Sequence, residues 1–74
     1  MTPLHSLLPG DEAIVAAIHA DAALRNRLAA MGFRIGRRIA LVRRGAFAGP
    51  LHVRIGTTDV ILRCKQAAQI EVTT

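Results

Sequence analysis

A chain of 74 residues that is 51% hydrophobic has the makings of one domain, residues 1–74, around one small core; at this size only about 60% of the unfolded surface is buried. Its single cysteine excludes an internal disulfide. No apolar run nears the roughly 20 residues that span a bilayer, and the opening MTPLHSLLPGDE lacks the basic and apolar regions of a signal peptide, so a cytoplasmic address is expected.

The N-terminal stretch Thr2 to Leu8 is short and partly apolar. Leu4 and Leu7 lie three apart, so one helical turn puts both on the same side, and Pro9-Gly10 ends the stretch. This reads as a clasp over the core. Glu12 to Ala20 is ambiguous: its alanines favour helix, whereas Ile14, Val15 and Ile18 favour strand. Propensity would permit one helix from Asp11 to Met31, but Asp21 is a good N-cap and argues for a new helix beginning there. In that helix Leu24, Leu28 and Met31 form one apolar stripe, with Arg25 and Asn26 directed away. Gly32 is placed to be the left-handed residue past the helix end, with Phe33 folding back on Leu28.

A bend from Phe33 to Gly36 leads into RRIALVRR, Arg37 to Arg44. Its charged ends flank a centre in which either Ile39 and Leu41 or Ala40 and Val42 face the core. Gly45 to Pro50 is a loop with Phe47 at its tip. Leu51, Val53 and Ile55 alternate with His52 and Arg54, the mark of a half-buried strand. The tight connection at Gly56 joins it to Val60–Arg63 as a hairpin. One helical turn over Lys65 to Gln69 and a short strand from Ile70 to Thr73 close the chain. Several short strands at close spacing suggest a small barrel.

The residues Leu7, Pro9-Gly10, Leu24-Arg25-Asn26-Arg27-Leu28, Met31-Gly32, Gly36, Val42-Arg43-Arg44, Gly56, Leu62-Arg63, Ala67 and Ile70, in this order and spacing, resemble the FeoA family. That family comprises small cytoplasmic proteins of bacterial ferrous iron uptake. The likeness runs from about Leu4 to Val72. It implies a mainly β fold: a small SH3-like β-barrel with one α-helix inserted between the first and second strands and short helical turns near both ends. It also implies that Ala13 to Ile18 is the first strand. The implied partner is the membrane ferrous iron transporter FeoB, on its cytoplasmic side. Many relatives carry a Thr-Pro-Gly bend where this chain has Arg34-Ile35-Gly36, which gives a less rigid bend with an added charge.

Catalysis is not expected. The five acids are dispersed, and there is no GxxxxGK[ST] phosphate loop. No cofactor is expected beyond an adventitious or weakly held divalent metal, for which His5, His19, His52 and Cys64 are the candidate ligands, although no CxxC or i, i+4 His pair writes a site locally.

The charge is more informative. All five acids lie outside residues 22–58, whereas eight of the ten basic residues lie inside, within a net charge of +5. Such a segment favours an acidic partner; the bland alternative is a solvated, solubilising face. Nucleic acid is disfavoured, because Trp and Tyr are absent and only two Phe occur, leaving no stacking platform. An anionic membrane would attract Arg37, Arg38, Arg43 and Arg44. Docking on an acidic protein needs an apolar centre as well as charge, and Leu24, Arg25, Leu28, Met31, Phe33, Arg34, Arg37 and Arg38 are the candidates for such a surface. The alternative for Leu24, Leu28 and Met31 is simple packing of the helix on the sheet. The resemblance, joined to this charge, implies a cytoplasmic accessory protein of ferrous iron uptake that docks on and modulates FeoB, in peripheral contact with the inner membrane and without catalysis of its own. The alternatives are an SH3-like regulatory module, as in metal-dependent repressors, and a metal-binding protein.

Overall fold

The computed structural model describes residues 1–47 and 49–74. In chain order the elements are β1 (Thr2–Pro3), a 3-10 turn (Leu4–Ser6), β2 (Glu12–Ile18), α1 (Ala22–Ala30), β3 (Arg38–Arg44), β4 (Leu51–Ile55), β5 (Thr58–Leu62), α2 (Cys64–Ala67) and β6 (Ile70–Thr73). The strands form one six-stranded sheet in the order β1-β6-β2-β3-β4-β5, every pair antiparallel. Its edges are β1 and β5, and no ladder joins them among the described residues, so the strand pairing does not itself carry the closed barrel that was expected. The helix follows β2 rather than the first strand, because Thr2–Pro3, read from the sequence as a clasp, pairs with Val72 and Glu71 and so counts as a strand of its own.

The ambiguous alanine-rich stretch is a strand because its partners decide it. Glu12, Ala13 and Ile14 pair with β3, while Ile14 to Ile18 pair with β6. Ala13 and Val15 are buried on one face and Glu12 and Ile14 stand on the other. Tertiary pairing thus overrides the helix propensity of alanine. In β3 it is Ile39 and Leu41 that face the core. A register shift between Leu41 and Arg43 leaves Val42 without a cross-strand partner and turns the end of the strand, as a bulge does.

Local signals fix α1 closely. The Asp21 carboxylate accepts a hydrogen bond from the Leu24 N–H at 2.8 Å, capping the helix start. At its end Gly32 takes φ 100°; its N–H donates to Ala29 O at 3.0 Å and the Phe33 N–H donates to Leu28 O at 2.9 Å. Both bonds of the Schellman motif are present, and Phe33 and Leu28 meet in the core. Leu4 and Leu7 are also buried there, which makes the N-terminal turn the clasp that the spacing predicted. The β4–β5 hairpin turns at Gly56, whose φ of 61° matches the first central position of a type II′ turn. Among the described residues no polar or charged residue is buried as a whole.

Candidate interaction surface

The arginines between positions 25 and 44 divide into two groups. Three are tied to the chain itself. Arg25 Nη2 donates to Ile18 O at 2.9 Å, holding α1 to the end of β2. Arg38 Nη1 lies 3.4 Å from Glu12 Oε1, across the β2–β3 pair. Arg44 Nη2 donates to Leu7 O at 2.9 Å and also to His5 O, which pins the N-terminal turn against the end of β3. Arg27, Arg34, Arg37 and Arg43 make no side-chain hydrogen bond or ion pair among the described residues.

The bend that follows α1 displays the second group. Gly32 and Gly36 take φ 100° and 93°, a region costly for any residue with a Cβ. The Gly36 N–H donates to Val15 O at 2.8 Å. The bend is thereby fixed to β2 and pushes Arg34 and Ile35 outward, Ile35 being 70% exposed. Arg37 follows and lies over the hairpin turn, its Nη2 3.5 Å from where a Cβ on Gly56 would stand. Arg37, Arg38 and Arg54 line a cleft of about 480 Å³ together with Glu12. Arg54 Nε in turn donates to Asp59 Oδ1 at 2.8 Å. That bond, and less so the Arg54 charge and His52, hold the Asp59 carboxyl below the usual carboxylate range, while the same carboxylate raises the Arg54 guanidinium.

The apolar half of the expected surface needs correction. Leu28 and Phe33 are fully enclosed in the core, and Leu24 and Met31 are half-buried against it. The stripe read as one flank of a docking patch is therefore mainly what packs α1 on the sheet. The exposed apolar residue beside the arginines is Ile35, which the sequence reading did not single out; its place between two glycine-shaped bends was the available signal. Arg25, Arg34, Arg37 and Arg38 remain on the surface as expected.

A second basic cleft, of about 760 Å³, lies at the other end of the hairpin and is lined by Arg27, Pro50, Ile61, Arg63, Cys64 and Lys65 among others. It unites residues from α1, the β3–β4 loop, β5 and α2, too far apart in sequence for spacing to reveal.

The four metal candidates are dispersed. His19 Nε2 lies 2.9 Å from Glu71 Oε1, and His52 Nε2 lies 3.3 Å from Asp59 Oδ2. His5 and Cys64 line one cleft of about 210 Å³, where His5 Nδ1 is buried without a partner. No group of three or more His, Cys, Asp or Glu that could hold an ion occurs among the described residues. No helix among them is long and apolar enough to cross a membrane.

The FeoA domain family model matches residues 2–74. The chain is 35% identical over 69 residues to an Fe(2+) transport protein A/Fe(2+) transporter FeoB fusion protein of Porphyromonas gingivalis; the match takes in 93% of this chain but only 8% of that relative's length. Among solved structures, a Stenotrophomonas maltophilia FeoA complexed with zinc is 33% identical, with a TM-score of 0.81, over 97% of this chain and 88% of that one. It is described as a prokaryotic SH3 domain protein and a candidate ferrous iron transport activating factor. A manganese-dependent transcriptional repressor is 30% identical, with a TM-score of 0.89, over 97% of this chain and 40% of that one.

Proposed function

The chain belongs to the FeoA family, and on that premise we propose that it is an accessory protein of bacterial ferrous iron uptake that docks on the cytoplasmic part of a FeoB-type transporter and modulates it. The observation that carries this reading is the Porphyromonas gingivalis relative, in which an FeoA unit and FeoB form one polypeptide. A fusion holds its two parts at high effective concentration, which favours a working association between their separate counterparts. The chain acts from the cytoplasmic face of the inner membrane and carries out no reaction of its own.

The docking surface in this proposal is the bend after α1. Arg34 and Arg37 supply free charge, Ile35 supplies exposed apolar area, and the flanks are Leu24, Arg25, Met31 and Arg38. Charge beside a small apolar centre is the make-up of a transient protein interface. Arg34 and Arg37 are the residues to reverse, since Arg38 is already engaged by Glu12. The test is genetic: delete the gene, measure ferrous iron uptake under low oxygen, and restore it with the wild type or with Arg34→Glu/Arg37→Glu. Uptake falls on deletion and returns with the wild type alone. Unchanged uptake on deletion contradicts the role, and full rescue by the charge-reversed chain removes this surface from it.

A second reading, a regulatory module, draws on the likeness to the manganese-dependent repressor. A mobility-shift affinity for duplex DNA that falls steeply with salt would favour it. A metal-carrying role is supported by His5 and Cys64 sharing one cleft. Calorimetry with zinc and ferrous iron on the wild type, His5→Ala and Cys64→Ser tests it, and flat titrations leave it without support.

A further inference from the structure

The larger basic cleft is not accounted for by the docking surface just described, and among the described residues it shares no lining residue with the Arg37–Arg54 cleft. Its composition is one-sided. Three cations, Arg27, Arg63 and Lys65, converge on it, and among the described residues no carboxylate lines it. None of the three is engaged in an ion pair or a side-chain hydrogen bond among the described residues. Like charges gathered without a counter-charge repel one another, and an opposite charge brought among them relieves that repulsion.

The lining is also partly apolar. In β5 Val60 and Leu62 face the core, so Ile61 faces outward, and it is 63% exposed. Pro50 lies beside it in the lining. The same β3–β4 loop carries Phe47 fully exposed at φ 55°, a backbone region in which a bulky residue is uncommon. Apolar area beside charge is the make-up of a protein interface. A small anion is held by donors fixed in place, whereas these donors end long side chains with several rotatable bonds. No aromatic residue lines the cleft among the described residues, which disfavours a nucleobase as its occupant. A lipid surface meets protruding residues, whereas this site is concave.

From this charge and shape we infer that the cleft between α1, the β3–β4 loop, β5 and α2 is a receptor for an acidic polypeptide segment carrying an apolar side chain. The segment's carboxylates pair with Arg27, Arg63 and Lys65, and its apolar side chain covers Ile61 and Pro50. This goes beyond transporter docking through the bend and does not depend on it.

The probe is a fluorescein-labelled dodecapeptide of glutamate and aspartate with two leucines, titrated by anisotropy into the purified chain. Exposed ion pairs contribute about 0.2–1 kcal/mol each, so reversing all three cations (Arg27→Glu/Arg63→Glu/Lys65→Glu) weakens binding roughly tenfold or more. The single reversal Arg43→Glu, at a residue that belongs neither to this cleft nor to the bend surface, weakens it by less than about threefold and by less than the single reversal Arg63→Glu. Replacing the leucines of the probe by serine weakens it further. Cys64, the one cysteine of the chain, lines the cleft, so saturating peptide slows its alkylation by a bulky maleimide in the wild type. That last readout holds even if a charge-reversed chain folds poorly. The inference is overturned by absence of peptide binding at low salt, by equal losses in Arg43→Glu and Arg63→Glu, or by unprotected Cys64. It is also overturned if anionic phosphatidylserine vesicles or single-stranded DNA bind through Arg27, Arg63 and Lys65 while the peptide does not.

Discussion

Two adjacent arginines, Arg43 and Arg44, test the division between arginines that hold the fold and arginines that face a partner. Arg43 stands opposite His52 and Arg44 opposite Leu51 in the β3–β4 ladder. Only Arg44 reaches back to the N-terminal turn, donating to Leu7 O at 2.9 Å and to His5 O. Replacing either residue by Met keeps an apolar stem and removes the charge and the donors. Hydrogen bonds from a charged donor contribute about 1.5–3 kcal/mol when desolvated. Arg44 is partly solvated, so its two bonds together are assigned about 1–2 kcal/mol. Arg43→Met, with no partner lost, stays within about 0.5 kcal/mol of the wild type. In a chain of this size 1 kcal/mol moves the unfolding midpoint by about 4–8 °C. Arg44→Met therefore melts roughly 4–16 °C lower by circular dichroism, and Arg43→Met at most about 4 °C lower. Amide exchange supplies the location. The Leu7 N–H, bonded to Leu4 O, and the Gly10 N–H, bonded to Leu41 O, lose protection in Arg44→Met alone. Equal midpoints for the two variants, or protection lost in both, would refute the reasoning.

Gly32→Ala has room for its Cβ, the nearest atom being Ile55 Cγ2 at 3.5 Å, so its cost is that of holding alanine at φ 100°. This comes to about 1–2 kcal/mol, read as a lower denaturation midpoint with an unchanged slope; a midpoint equal to the wild type's would show that Gly32 is not needed as the helix stop. The Asp59 carboxyl is held below its usual range first by the hydrogen bond from Arg54. A lowered folded-state value means that the unfolded chain takes up the proton first. The pair therefore stabilises the fold above the unfolded aspartate value of about 3.9, and that contribution is lost as pH falls from there through the folded value. In urea titrations from neutral pH downward, Asp59→Asn should show a shallower loss in this acid range than the wild type, and parallel curves would mean that the pair contributes nothing.

Elements whose ends carry local chemistry were legible in the sequence. Asp21 as cap, Gly32 with Phe33 as stop, the Leu51–Ile55 alternation and the Gly56 turn each act within a few residues, and each is found where it was read. Glu12–Ile18 was open on the residues alone, because its state is set by β6 and β3 rather than by its own propensity. The choice of Ile39 and Leu41 over Ala40 and Val42 was likewise made by pairing with β4. On the surface, the cationic character of positions 25–44 was plain, but the task of each arginine was not. Arg44 meets carbonyls of residues 5 and 7, and Arg25 that of residue 18, partners that periodicity does not identify. The leucine stripe was open between docking and packing for the same reason: an apolar stripe beside a basic one looks alike whether it packs inward or waits for a partner, and burial of Leu28 and Phe33 decides for packing. Ile61 was hidden within the apolar run Val60–Leu62, where only strand geometry turns one residue outward.

The central claim, that this chain works by gripping a transporter through free charge at the bend after α1, is tested most directly by one dissociation constant. Purified FeoB-type transporter in detergent is titrated with the wild type and with Arg34→Glu/Arg37→Glu, at low and at physiological salt. The account predicts a complex that weakens as salt rises and is lost, roughly tenfold or more, in the charge-reversed chain while its melting temperature is retained. No complex with the wild type, or one of equal strength with both chains at both salt concentrations, would contradict it.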